Sequence, residues 1–142
     1  METTWIELTE ERLDAAKAVA FVTAREAGGI AVFLGTTRAE LTESGLPLIA
    51  LDYDAYAEMA RKQMAELAET VRRKWPVVKV AILHRTGRVN VGEPSVIIAV
   101  STGHRAQAFE ACQWVIDTLK AEVAIWKKEV WGDGSESWVH PG

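Results

Sequence analysis

The sequence predicts a single domain in which strands and helices interleave, of α/β or α+β type. Three observations lead there. The chain has 142 residues, 49% apolar and 25% charged, the size and composition of one domain with one real core. Clusters of Val, Ile and aromatic residues alternate with stretches rich in Ala, Glu and Lys, so the apolar spacing switches repeatedly between strand and helix. No repeat or low-complexity tract interrupts this alternation.

The elements follow in order. After an opening strand, a helix is expected over Glu10 to Glu26. Thr9 is placed to cap it, acidic residues fill its first turn, Leu13, Ala16 and Ala20 recur at helical spacing, and Gly28-Gly29 stops it. Ile30 to Leu34 reads as a buried strand, and Thr36 to Pro47 as a polar loop, long for a connection. Leu48 to Tyr53 returns to strand character. Glu58 to Trp75 predicts a second helix, with Met59, Met64, Leu67, Ala68 and Val71 on one face and a basic last turn before Pro76. Val77 to Leu83 and Ser95 to Ser101 are β-branched runs expected to pair antiparallel through a kinked connection holding Gly87, Gly92 and Pro94. Ser101 or Thr102 is placed to cap a third helix carrying Phe109, Cys112, Val115, Ile116 and Leu119. Ile125 to Val130, Gly132-Asp133-Gly134 and Ser137 to Val139 read as a hairpin. The predicted order is β-α-β-β-α-β-β-α-β-β.

Composition excludes several function classes. Cys112 is the single cysteine, so no internal disulfide framework exists, and His84, His104 and His140 are too scattered for a structural zinc site. Sixteen basic residues against twenty acidic ones give a net charge of −4, which argues against a general nucleic-acid binder. No apolar run reaches the length of a membrane span, and the charged start METTWIELTEER is not expected to act as a signal peptide, which makes the cytoplasm the default compartment. A nucleophile elbow, a phosphate-binding Gly-Lys-Ser/Thr loop, a dinucleotide fingerprint and a helical metal-ligating His pair are all missing.

What stands out in this acidic chain is basic. Arg38, His104, Arg105, Lys120, Lys127 and Lys128 fall at the edges of predicted elements, where a helix N-terminus adds its own N–H groups for an anion. Ordinary readings compete for each. Arg38 in a polar loop is by default a solvated charge, Lys120 suits the negative end of a helix dipole, and Lys127-Lys128-Glu129 would serve as a protected strand edge. His104 and Arg105 are harder to dismiss, because cations oppose the dipole in a first helical turn. Cys112 among core positions reads as an inert apolar residue. His84 and His140 carry no functional assignment at this level.

Taken in order, Phe33-Leu34-Gly35-Thr36-Thr37-Arg38, Leu51 to Tyr56, His84-Arg85-Thr86-Gly87, Val91-Gly92-Glu93, His104-Arg105 with Ala108-Phe109, Asp117 and Lys120, then Ile125-Trp126-Lys127-Lys128-Glu129 and Trp138 resemble the large, catalytic subunit family of molybdopterin synthase over nearly the whole chain. The resemblance implies an α+β single domain, an α/β-hammerhead fold with an added antiparallel sheet or hairpin. It implies a homodimer at the centre of a heterotetramer, with a small ubiquitin-like sulfur-carrier subunit at each end whose thiocarboxylated Gly-Gly tail enters a pocket. Two sulfurs would pass to cyclic pyranopterin monophosphate, precursor Z, giving the dithiolene of molybdopterin without a metal or dissociable cofactor. The expected partners include neither nucleic acid nor membrane.

The residue inventory agrees with that chemistry. A phosphate and a thiocarboxylate must share one site, so positive charge must offset their repulsion. Arg38, His104 and Arg105 are expected to position phosphate and pterin, with Thr36, Thr37, Lys128 and Glu129 as further substrate-binding candidates; Lys128 and Glu129 are the weaker pair, since one neighbour of Lys127 must point away in a strand. Lys120 is the expected central catalytic residue, its ammonium destabilised by neighbouring cations, with Lys127 beside it. A helix continuing to Lys127 would return both to one face, and a break after Val123 would fold Lys127 back beside Lys120. The sequence departs from the family at Ala124, where a proline is frequent, and at Glu122, where a basic residue is common. A competing reading takes Leu48 to Val130 as a ferredoxin-like ligand-binding or regulatory module without catalysis.

Overall fold

The computed structural model describes residues 2–139; His140 lies outside the described residues. Its elements are β1 (Thr4–Thr9), α1 (Ala15–Val22), β2 (Gly29–Thr36), β3 (Leu48–Ala55), α2 (Ala57–Lys74), β4 (Val77–Arg85), β5 (Gly87–Asn90), β6 (Pro94–Thr102), α3 (Arg105–Glu122), β7 (Ile125–Trp131) and β8 (Glu136–Val139). The strands divide into two four-stranded sheets, ordered β1-β4-β6-β2 and β5-β3-β7-β8. In the first, β1 runs parallel to β4, while β4 and β2 both pair antiparallel with β6. In the second, β3 pairs antiparallel with β5 and β7, and β7 with β8.

Strand alternation sends β4 side chains to two cores. Val80 and Ile82 join Met64, Leu67 and Val71 of α2 and Val115 and Leu119 of α3, whereas Ala81 and Leu83 meet Leu13 and the α1 residues Ala18 and Val22. Helices therefore cover both faces of the first sheet, which explains the unbroken apolar runs of β4 and β6. The α+β class and the single antiparallel β4–β6 pair agree with the sequence reading.

Four elements differ from it. β2, expected as a buried strand, ends the first sheet and leaves Ile30, Val32 and Leu34 exposed. α1 begins at Ala15, because Asp14 and not Thr9 caps it: the Asp14 carboxylate accepts the N–H groups of Ala16 and Lys17. Thr9 ends β1 and accepts the Glu11 N–H within its own turn, and the helix stops at Val22, where Thr23 returns its hydroxyl to the Val19 carbonyl at 2.7 Å. The connection between β4 and β6 contains β5, whose four residues are too few to register as a strand in sequence. α3 is not capped by Ser101 or Thr102. Both remain in β6, and Thr102 donates its hydroxyl to the His104 carbonyl at 2.6 Å, leaving His104 as an N-cap without a side-chain cap bond. The ferredoxin-like alternative fails on topology, since β3 and β7 lie in one sheet and β4 and β6 in the other.

Candidate active site

The end of α3 places two lysines together. The Val123 N–H closes the last helical turn on Leu119, the Ala124 N–H is captured by Oε1 of Gln63 on α2 at 2.7 Å, and the Ala124 carbonyl accepts the Tyr56 N–H. These bonds turn the chain at residues 123–124 and send β7 back along β3. Of the two geometries the sequence left open, the break after Val123 is the one adopted. Lys127 comes within electrostatic reach of Lys120: burial lowers the Lys127 pKa, and the Lys120 ammonium lowers it further, while Glu129 and Glu40 pull the other way. Lys120 itself is exposed and Lys127 half-buried.

A neutral floor lies beneath this pair. Tyr53 stands opposite Lys127 on the β3–β7 ladder, so the two side chains share one face of the sheet. The Tyr53 ring meets His84 of β4 edge-on, with centroids 5.1 Å apart. His84 is buried, and its Nδ1–H donates to the Arg85 carbonyl at 2.7 Å. Burial pushes its pKa down to about 4, with smaller contributions from Lys127 and Lys120. The imidazole therefore stays uncharged under two cations, although sequence reasoning gave it no role. The signal was present, since His84 belongs to the His84-Arg85-Thr86-Gly87 piece of the resemblance.

Alternation decides the other β7 candidates. Glu129 shares the face of Lys127 and sits opposite Leu51. Lys128 points to the other side, where its ammonium lies 3.6 Å from Glu136 and 4.9 Å from the centre of the Trp138 ring. Its cross-strand partner Asp52 is bound by Arg88 at 2.6 and 2.9 Å, and that hydrogen bond holds the Asp52 carboxyl below the usual range. Lys128 is thus engaged in an outer network and is not brought to the lysine pair.

The end of β2 and the start of the following loop carry Thr36, Thr37 and Arg38. Thr36 is exposed and Thr37 buried, with its Oγ1 lacking a hydrogen-bond partner among the described residues. The backbone of Thr37 bonds Glu93 and Gly92, and Glu93 in turn lies 3.7 Å from the buried guanidinium of Arg85. Arg38, on the surface, is bound by Glu40 at 3.1 Å, and Glu40 is one of the carboxylates whose charge reaches Lys127. Arg38 and the lysine pair therefore belong to one end of the domain.

His104 and Arg105 belong to the other. They begin α3, whereas Lys120 ends it; fifteen residues at a rise of 1.5 Å separate Arg105 from Lys120 by about 22 Å. Both are exposed. Their neighbour is the start of β2: a Cβ on Gly29 would fall 2.8 Å from the Arg105 Cα, so only glycine admits this close packing. One copy of the chain does not gather all the expected cations into a single recess. Cys112 is buried and its thiol pushed up to about 11 by burial, the condition of an inert core residue. Among the described residues no group of His, Cys, Asp and Glu could hold a metal ion, and no helix is long and apolar enough to cross a membrane.

Comparison with known proteins gives this arrangement a context. A sequence model of the family described as MoaE protein matches residues 8–122. The molybdopterin synthase catalytic subunit of Bos taurus is 44% identical over 133 residues, covering 94% of this chain and 69% of that protein. The subunit of the same name from Thermoplasma volcanium is 40% identical over 138 residues, covering 97% and 99%. Among solved structures, molybdopterin synthase from Staphylococcus aureus superimposes with a TM-score of 0.87 at 31% identity, covering 99% of this chain and 98% of that one. A complex of subunits 1 and 2 of the molybdopterin-converting factor from Helicobacter pylori, at 20% identity and TM-score 0.75 over 97% and 90% of the two chains, shares the fold.

Proposed function

The chain belongs to the MoaE protein family, alongside the molybdopterin synthase catalytic subunits, and on that premise we propose that it moves two sulfurs from the thiocarboxylated tail of a small ubiquitin-like carrier to cyclic pyranopterin monophosphate. The observation that carries the reading is the convergence of Lys120 and Lys127 above an uncharged His84. Each transfer replaces a carbon–oxygen bond of the pterin side chain by a carbon–sulfur bond, the oxygen leaving as water or, where the cyclic phosphate opens, staying on the phosphate; water then cleaves the acyl–sulfur bond and returns the carrier tail as a carboxylate. Lys120 and Lys127 stabilise the anionic reactants and move protons at the acyl carbon. A lysine whose pKa is lowered by burial and by a second ammonium is suited to both tasks. Arg38, following Thr36 and Thr37 in the chain, orients the phosphate end of the substrate, its planar fork matching phosphate oxygens as a lysine cannot, while Glu129, on the Lys127 face of β7, is left to the pterin end. Lys128, turned to the outer face, is left out of the reaction. The reading includes a cytoplasmic location.

His104 and Arg105 enter from a second copy. β2 ends the first sheet, its eight residues are uncharged, and Ile30, Val32 and Leu34, spaced alternately, are 39%, 40% and 45% exposed. An apolar edge strand without charges or proline invites pairing. Two β2 strands pairing antiparallel about a twofold axis put the start of one beside the end of the other. β2 is about 23 Å long at 3.3 Å per residue, close to the span of α3 between Arg105 and Lys120. The partner's α3 start, which packs on Gly29, would thus be carried to the Arg38 end of this chain. A twofold homodimer completes two sites, each with lysines from one copy and the His-Arg pair from the other.

The direct test is a single-turnover reaction of the chain with thiocarboxylated carrier and the phosphorylated pterin, following dithiolene formation. Product appearing with two carriers consumed per pterin is the expected result. Carrier binding without any product would overturn the reading.

A further inference from the structure

Building on the site reading above, we propose that Glu40 is an internal stand-in for the substrate's anion: its carboxylate occupies Arg38 while the site is empty, yields that guanidinium to the incoming phosphate, and so sets how tightly the site binds anions. The first observation is the bond itself, from the Arg38 guanidinium to Glu40 Oε1 at 3.1 Å. The second is that the carboxylate rides on fixed backbone. The Glu40 carbonyl accepts the Leu48 N–H at 2.9 Å, and the adjacent Leu41 bridges to Pro47, so the side chain is aimed from the entry of β3. The third is reach: the charge of Glu40 is felt at Lys127, which places one carboxylate in the field of two separate cations of the proposed site.

The strength of the contact suits an exchange. The side chain of Arg38 is 84% exposed and that of Glu40 39% exposed, and an ion pair this open to water contributes little. A phosphate offers several oxygens to the fork where Glu40 uses one, so it displaces the carboxylate readily. Glu129 cannot play this part, because it is held in the β7 ladder and accepts a long bond from Ser137 at 3.4 Å. Glu40 also acts on Lys127 in the opposite sense to burial and to Lys120, favouring its charged form.

The experiment compares the wild-type protein with Glu40→Gln and, as a control for simple loss of charge on the same loop, Glu43→Gln. Two quantities are read: calorimetric affinity for cyclic pyranopterin monophosphate at low and high salt, and the rate of Lys127 acylation by an amine-reactive ester, mapped by mass spectrometry. Glu40→Gln should bind the pterin about two- to fivefold more tightly at low salt, a gain that salt removes, and should acylate Lys127 faster. Glu43→Gln should match wild type in both. Equal gains in the two variants, or no gain in Glu40→Gln while wild type binds and turns over, would overturn the proposal and leave the function standing. A wild-type protein that binds no phosphorylated pterin would overturn the site reading, and the stand-in role with it.

Discussion

Tyr53 meets His84 edge-on at 5.1 Å, and the contact joins the two sheets directly beneath the lysine pair. One ring sits opposite Lys127 on the second sheet, the other is buried at the end of β4 in the first. Whatever fixes His84 therefore helps fix the depth at which Lys127 is buried.

The charge state of His84 makes stability depend on pH. Its folded-state pKa lies near 4 against an ordinary value of 6.5. Between those values the unfolded chain binds a proton that the folded chain refuses, so stability is unaffected above pH 6.5 and falls as pH drops toward 4. The loss is about 3 kcal/mol. Urea unfolding of wild type and His84→Phe from pH 7 to 4 checks this, since the uncharged ring should flatten that part of the curve. If the variant does not fold, the His84 ring resonances of the wild type still decide the matter: protonation with a midpoint near 6.5 contradicts a buried neutral imidazole.

Lys120→Ala should abolish dithiolene formation while leaving the melting temperature almost unchanged, because the side chain is exposed and shares the last turn of α3 without filling the core. Arg105→Ala should raise KM for the pterin more than it lowers kcat, as expected for a group that binds and orients. Full turnover by the lysine variant in single-turnover assays would remove its catalytic role.

A twofold dimer with divided sites predicts complementation. In a heterodimer of Lys120→Ala and Arg105→Ala chains, one site carries both defects and the other carries neither. After unfolding and refolding an equal mixture, half of the dimers are mixed and, at pterin concentrations far below the raised KM of Arg105→Ala, activity returns to about one quarter of wild type. Activity no greater than the mean of the two pure variants would mean that both residues act within one chain.

Charging the β2 edge should separate the copies. Val32→Lys places an ammonium on an exposed side chain at the middle of the strand, where the twofold pairing would bring two such charges together. Sedimentation should show a monomer that remains folded and has lost most of its turnover. An unchanged dimer would place the interface elsewhere.

Much of the fold was legible because it depends on local periodicity. The spacing of Met64, Leu67 and Val71 marks α2 within a residue or two at each end, and the β-branched runs of β4 and β6 announce a doubly covered pair. The misjudged ends share a cause. Thr9, Ser101 and Thr102 are capable helix caps, yet each is held in a strand by long-range pairing: Thr9 with Arg85, Ser101 with Ile30 and Lys79, and Thr102 with Gly29 and Val77. Short-range preference lost to the sheet. β5 escaped notice because four residues carry too little pattern, although they anchor the edge of the second sheet.

For the site, residue types and order alone established that the positive charges of an acidic chain cluster at element edges, and that no cysteine stands ready as a nucleophile. Which charges meet was settled only in three dimensions. The turn at residues 123–124 is made by Gln63, about sixty residues away, so nothing local could decide whether Lys127 reaches Lys120 along a continued helix or through a break. Strand alternation would assign Lys127 and Lys128 to opposite faces in any strand, but only the paired neighbours decide which face is the site. The length of α3 separates Arg105 from Lys120 because a helix is rigid, and distance along a rigid rod cannot be folded away within one copy.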